Sequence, residues 1–171
     1  MAKMTSAYAN KVLKKLNEDK DFWLKKEVDS CFYIAALDEE PVIPEYDYAS
    51  VAATIAEIDE KIVKIKHAIN FTNATNIILV GDREMTVDTI LVKMAQLNKR
   101  KQFLDNLRKQ EAKTRINTAA YSARKMAPEY QYINYDLQLV KDEYERVDAE
   151  IAAMQIALDK YNQTVEFEVE Y

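Results

Sequence analysis

The chain has 171 residues and a formal net charge of -5, with 49% hydrophobic and 31% charged residues. Its length suits one helical domain, and its single glycine and three prolines are too few for a fold built on many tight turns. The negative charge argues against extended nucleic acid as a partner. The lack of an apolar run of about eighteen residues, or of a signal-peptide core, predicts a cytoplasmic protein without a membrane partner.

The first predicted helix covers about Ser6 to Ser30, where apolar residues recur at helical spacing. The helical spacing of apolar residues ends after this helix, and residues 38–47 form an acidic segment that contains Pro41 and Pro44. Because proline lacks a backbone N–H and restricts the residue before it, we expect an extended linker there.

The second predicted helix carries the clearest pattern in the chain. Its apolar positions alternate in steps of four and three residues, a seam typical of a coiled-coil hairpin or a helical bundle. Asp47 or Ser50 is available to cap its first turn. The seam consists of Val51, Ile55, Ile58, Ile62, Ile65 and Ile69.

Two further helices are predicted from the same periodicity. The third begins after Thr86 or Asp88, either of which can cap it, and carries a basic stripe that we interpret as a solvated face. The fourth runs from Leu137 through Tyr161. Together these patterns predict a mainly α fold of long antiparallel helices, as a bundle or a coiled-coil hairpin. The apolar positions of the third helix are Ile90, Met94, Leu97, Leu104 and Leu107.

Three intervals lie outside these helices. Residues 70–86 are rich in asparagine and threonine and include the one glycine, which predicts a polar central loop with a short β segment at Ile77–Val80. Residues 117–135 are polar and rich in tyrosine, which predicts a long loop with short strands. The C-terminus alternates apolar residues with glutamates, which predicts a strand. Its candidate partners are Ile77–Val80, Phe32–Ile34 and Tyr130–Tyr135, or the same segments of another subunit.

Motifs for catalysis or metal binding are missing from the sequence. The chain contains one histidine, His67, and one cysteine, Cys31, which are too few for a Cys/His zinc centre or a disulfide framework. A single glycine excludes the glycine-rich loops that hold phosphates. We therefore predict no catalytic residue, no metal and no cofactor, and a protein that is not an enzyme.

The candidate site is the polar density at the ends of the second and third helices. Backbone N–H groups at a helix start, together with an arginine, form a favourable seat for an anion. Tyrosine offers a stacking face for a base, and arginine a fork for phosphate or carboxylate. The alternative is that these asparagines and threonines only cap helices around a turn. The candidate ligand-binding residues are Asn70, Thr72, Asn73, Arg83, Thr86, Arg115, Tyr121 and Arg124.

The run from Ile69 to Thr75, followed by Gly81 and by Thr86 at a helix start, resembles the septicolysin-like family of small, functionally uncharacterised bacterial helical proteins. The segment Tyr121–Arg124 is similar to a Tyr-Ser segment of that family, and Leu158–Thr164 to its C-terminal end. The resemblance implies a mainly helical fold and a homo-oligomer, with the hexamer as the implied state.

These observations lead to two functional hypotheses. The first is a homo-oligomer that binds, and thereby sequesters, a small anionic ligand such as a signalling nucleotide, with phage–host defence as one setting. The second is a structural or protein–protein interaction oligomer that has no small-molecule ligand and recruits a partner helix through an apolar seam.

Overall fold

The computed structural model describes residues 2–116 and 129–170, which form four helices and three two-stranded antiparallel sheets. The mainly helical fold predicted from the sequence is confirmed. The helices are α1 Ser6–Ser30, α2 Tyr48–Thr75, α3 Val87–Arg108 and α4 Leu137–Thr164. The strands are β1 Ala2–Thr5, β2 Ile77–Val80, β3 Arg83–Thr86, β4 Lys113–Arg115, β5 Tyr130–Tyr132 and β6 Glu166–Val169.

Each helix begins at a polar residue whose side chain accepts a backbone N–H of the first turn. Asp47 caps α2 by accepting from Ala49, and Thr86 caps α3 by accepting from Thr89. Both residues were among the caps expected from the sequence. Such caps satisfy N–H groups that have no partner inside the helix, so they determine where each helix starts.

The predicted C-terminal strand exists as β6, but its partner is β1, so all three predicted partners within the chain are wrong. The two strands pair antiparallel, with Met4 opposite Phe167 and Ala2 opposite Val169. Met4, Phe167 and Val169 are buried against α1 and α2. β1 carries only one large apolar side chain in four residues, so its sequence shows no alternation that would predict a strand.

The central interval is a helix end followed by a hairpin. The loop predicted over residues 70–86 is therefore wrong, whereas the short β segment predicted at Ile77–Val80 is confirmed as β2. α2 continues through Thr75. The hydroxyls of Thr72 and Thr75 donate to carbonyls one turn earlier, so both hydroxyls have partners within the helix. β2 and β3 then pair through a two-residue turn. Gly81 has a φ of 60° there, and a glycine with positive φ at the first turn position is typical of a type II′ hairpin.

The buried side chains form two clusters. The first joins β1, α1, α2 and β6, and at its centre lies Ile65. The second joins β2, α3 and α4, around Ile90, Met154 and Tyr161. The predicted α2 seam supplies much of this core: Val51, Ile58, Ile62 and Ile65 are buried, whereas Ile55 and Ile69 are half-buried. The helical period in the sequence therefore identified the packed face correctly.

Candidate functional site

A surface groove of about 300 Å³ lies between the β2–β3 hairpin and the middle of α4. The hairpin contributes one wall because the turn at Gly81 reverses the chain directly over α4. The floor is apolar and includes Val80 and Met154, both buried. The polar side chains of the lining are Asp82, Arg83, Arg146 and Glu150.

The carboxylate of Glu150 is the meeting point of three basic side chains. Lys93 of α3 donates to Oε1 at 2.5 Å, and Arg146 donates to Oε2 at 3.4 Å. Arg83 of β3 approaches Oε1 at 3.9 Å. The hydrogen bond from Lys93 is the main reason that the pKa of Glu150 lies below its ordinary value, and the charges of Arg146 and Arg83 add to the effect.

The two arginines of the groove differ in how firmly they are held. Arg146 donates two hydrogen bonds to Glu143, at 2.8 and 2.9 Å, in addition to its contact with Glu150. Arg83 is 73% exposed, and its 3.9 Å approach to Glu150 is longer than a hydrogen bond. The Arg83 guanidinium therefore keeps donors that an incoming anion can use.

At the start of α3, two of the backbone N–H groups that were expected to seat an anion already have partners. The N–H of Val87 donates to the carbonyl of Asn76 at 3.1 Å, and the N–H of Thr89 donates to Oγ1 of Thr86 at 3.2 Å. Asp88 also places a negative charge in the first turn. Thr86 thus acts as a helix cap, as the alternative interpretation proposed.

The three predicted site residues of α2 do not line the groove. Thr72 is buried, and its hydroxyl donates to the carbonyl of Ala68 at 2.7 Å. Asn70 is exposed on the helix surface. Oδ1 of Asn73 is buried and has no hydrogen-bond partner within the described part of the chain.

The later predicted residues do not join the groove either, as far as the structure describes them. Arg115 lies on β4, opposite Tyr130 of β5, and is exposed. It is absent from the groove lining. Tyr121 and Arg124 lie outside the described residues. Of the eight predicted site residues, Arg83 is therefore the one that the described structure places in the groove.

Sequence reasoning missed Lys93, Arg146 and Glu150. Glu143, Arg146 and Glu150 are spaced three and four residues apart, a signal for ion pairs along one helix face. That spacing predicts a row of solvent-exposed ion pairs along one helix and does not predict a binding site. Only the packing of α3 against α4 brings Lys93 to the same carboxylate.

A second groove, of about 340 Å³, lies between the C-terminal turn of α3 and strands β4 and β5. Its walls present side-chain amides and tyrosines, and the hydroxyl of Tyr135 donates to the carbonyl of Leu107 at 2.8 Å. The charged residue of its lining is Glu111. A groove whose charge is negative is a poor site for an anion, so the hairpin groove remains the candidate.

In residues 2–116 and 129–170, no group of three or more His, Cys, Asp or Glu side chains is placed to hold a metal ion. None of the helices in the same ranges combines the length and apolar character that crossing a bilayer requires.

Comparison with known proteins bears on the fold. The chain is similar to a functionally unknown conserved protein from Corynebacterium diphtheriae, with a TM-score of 0.64 and 14% sequence identity. The match covers 98% of this chain and 100% of that protein. Likeness at this identity concerns the fold alone. No protein-family model and no curated protein matches the chain.

Proposed function

We propose that this chain is a homo-oligomeric, non-enzymatic protein that binds a small anionic ligand, such as a signalling nucleotide, in the hairpin groove. The observation that carries the proposal is the convergence of Arg83, Lys93 and Arg146 on the single carboxylate of Glu150 beside an open groove. The charged side chains of the lining balance, with Arg83 and Arg146 against Asp82 and Glu150. A phosphate would therefore be stabilised by the exposed guanidinium donors of Arg83 and not by an excess of positive charge.

The ligand would enter between the hairpin and α4. Its phosphate would take a bidentate hydrogen bond from the exposed guanidinium of Arg83, and Arg146 would supply a second contact from α4. The apolar floor at Met154 would accept a ring of the ligand. Glu150 would serve as the fixed anchor that holds the basic side chains in position.

Sequestration fits this site better than turnover. The groove residues offer hydrogen-bond donors and charge, and its lining includes neither a histidine nor a cysteine. The resemblance to the septicolysin-like family stays a prediction, and with it the hexamer, the cytoplasmic location and a role in phage–host defence. A ring of identical pockets would suit a protein that sequesters several molecules of a signalling nucleotide.

The oligomer is supported by the surface area of the protomer. Its accessible surface is 13096 Å², whereas a compact monomer of this mass exposes about 8,600 Å². Many large apolar side chains contribute to the excess, among them Ile156 on α4 and Phe103 on α3. We propose that the helix pairs α1–α2 and α3–α4 are antiparallel coiled-coil hairpins that present such residues to other subunits.

Isothermal titration calorimetry against a panel of mono-, di- and cyclic nucleotides, with inorganic phosphate alongside, tests the ligand. We expect saturable heat with at least one nucleotide. Arg83→Ala should weaken that affinity by about tenfold to a hundredfold, as expected for a lost charge-assisted hydrogen bond. Lys64→Ala is the matched control, since Lys64 pairs with Glu60 on α2, away from the groove. Absence of heat with every compound would refute the ligand.

The second candidate is a structural or protein-interaction oligomer without a small-molecule ligand. The excess of exposed apolar surface favours it independently of the groove. A stable oligomer that gives no heat with the panel, and whose assembly is insensitive to Arg83→Ala, would favour this candidate over the first.

A further inference from the structure

Residues 32–47, which we call the apolar arm, connect α1 to α2 and carry no helix or strand. A single turn is formed where the N–H of Glu39 donates to the carbonyl of Ala36 at 3.3 Å. The arm is tied to its own protomer near its end by a hydrogen bond of 3.1 Å from the hydroxyl of Tyr46 to Glu27. The rest of the arm projects from the helices.

The composition of the arm is that of a segment that becomes buried. Ile34 is 100% exposed and Leu37 105% exposed, which means that these side chains touch almost nothing in their own protomer. Flexible linkers are usually poor in aromatic and branched apolar residues, because such residues gain by leaving water. The strongly exposed apolar side chains of the arm are Phe32, Ile34, Leu37, Val42 and Ile43.

The arm also concentrates the charge of the protein. It contains five acidic residues and no basic residue, and therefore has the same net charge, -5, as the whole chain. The remainder of the chain is consequently balanced. A surface that pairs with the arm should thus combine apolar patches with basic side chains.

The outer face of α3 has this combination. Val92 and Phe103 are more than half exposed, and Lys99 and Arg100 are exposed between them, one to two turns apart on the same side of the helix. The guanidinium of Arg100 lies 5.7 Å from the ring of Phe103. We call these four residues the basic face of α3.

We propose that the apolar arm of one protomer packs on the basic face of α3 of a second copy of this chain. Apolar side chains of the arm would cover Val92 and Phe103, while its carboxylates would pair with Lys99 and Arg100. The exposed surface of the protomer exceeds that of a compact monomer by roughly 4,500 Å². This excess is several times the roughly 800 Å² per partner that a stable interface buries.

This inference deepens the oligomer of the proposed function and does not depend on its ligand. Every copy carries both an arm and a basic face. Two copies that exchange arms form a two-fold pair, and copies that each pass the arm to the next one form a ring when the rotation closes. Assembly would then be strengthened by low ionic strength, since the paired charges lie at the rim of the contact.

Charge reversal followed by native mass spectrometry and light scattering tests the pairing. The arm variant is Asp38→Lys with Glu39→Lys and Glu40→Lys, and the face variant is Lys99→Glu with Arg100→Glu. Each variant alone should raise the concentration of half-dissociation at least about tenfold, a change of about 1.4 kcal/mol. A chain that carries both reversals restores complementary charges and should assemble like the wild type. All five positions are exposed, so circular dichroism should show unchanged helices.

An apolar variant, Ile34→Ser with Leu37→Ser, should lower the assembled mass without a change of charge. If this variant and both single reversals assemble like the wild type, the proposed packing of the arm is refuted, although the chain is still an oligomer. A monomeric wild type would overturn the arm and the oligomer together. Failure of the double reversal to assemble would also overturn the pairing of the arm with α3.

Discussion

The side-chain amide of Asn76 donates a hydrogen bond of 3.1 Å to the hydroxyl of Tyr161, 85 residues further along the chain. Asn76 ends α2, and its carbonyl accepts from Val87 at the start of α3. One residue therefore joins the ends of three helices around the base of the β2–β3 hairpin. Arg83 lies on the hairpin that begins at this junction.

Replacement of Tyr161 by phenylalanine tests the junction. Tyr161→Phe leaves the Asn76 amide without its acceptor and should lower the free energy of unfolding by about 1 kcal/mol at pH 7, measured by urea denaturation. Burial raises the pKa of the Tyr161 phenol, and the hydrogen bond from Asn76 opposes this rise. The folded state thus disfavours the phenolate, so this part of the stability is present below the unfolded pKa of about 10 and declines above it. The difference between wild type and variant should shrink above pH 10, and a difference that grows there would contradict the assignment.

Neutralisation of Glu150 should weaken the packing of α3 on α4. Glu150→Gln removes the negative charge that pairs with Lys93 and Arg146 and leaves one acceptor oxygen in place of two. We expect a loss of roughly 1 kcal/mol in the free energy of unfolding at pH 7. Because the folded pKa of Glu150 lies below its ordinary value of 4.5, this stability is present above pH 4.5 and is lost as the pH falls through the folded pKa. The exposed Glu57→Gln is the control and should change the free energy of unfolding at pH 7 by less than about 0.5 kcal/mol.

Alanine at Gly81 should strain the hairpin turn. Gly81 has a φ of 60°, and the space around its α-carbon is open, so the cost is one of backbone conformation and not of collision. We expect Gly81→Ala to reduce the free energy of unfolding by about 1 kcal/mol. Asp82→Ala, at the neighbouring turn position without a positive φ, should change it by less than about 0.5 kcal/mol. Equal effects of the two substitutions would argue against a type II′ turn.

Truncation of the α2 core should be far more costly than truncation of its surface. Ile65 is 0% exposed, so Ile65→Ala should cost about 2–5 kcal/mol through lost burial and a residual cavity. Val63 is 65% exposed two residues earlier, and Val63→Ala should change stability by less than about 0.5 kcal/mol. Thermal or denaturant unfolding followed by circular dichroism compares the two, and similar losses would contradict the observed packing of α2.

The sequence by itself determined the local structure of this protein. Helical period and capping chemistry act within a few residues, so α2, its Asp47 cap and the buried Ile58, Ile62 and Ile65 could be predicted. The same local reasoning misjudged the end of α2. A threonine hydroxyl can donate to a backbone carbonyl within a helix as well as it can form a turn, so the threonines do not mark the helix end.

Only the tertiary structure decided which distant segments meet. β1, which precedes α1, pairs with β6, which follows α4, where both strands are buried against α2, and nothing in the four residues of β1 encodes that contact. Lys93 and Arg83 likewise reach Glu150 only because α3 and the hairpin pack on α4. Such pairings are selected by the burial of whole helix faces, a long-range effect that is not encoded in the spacing of residues along one segment.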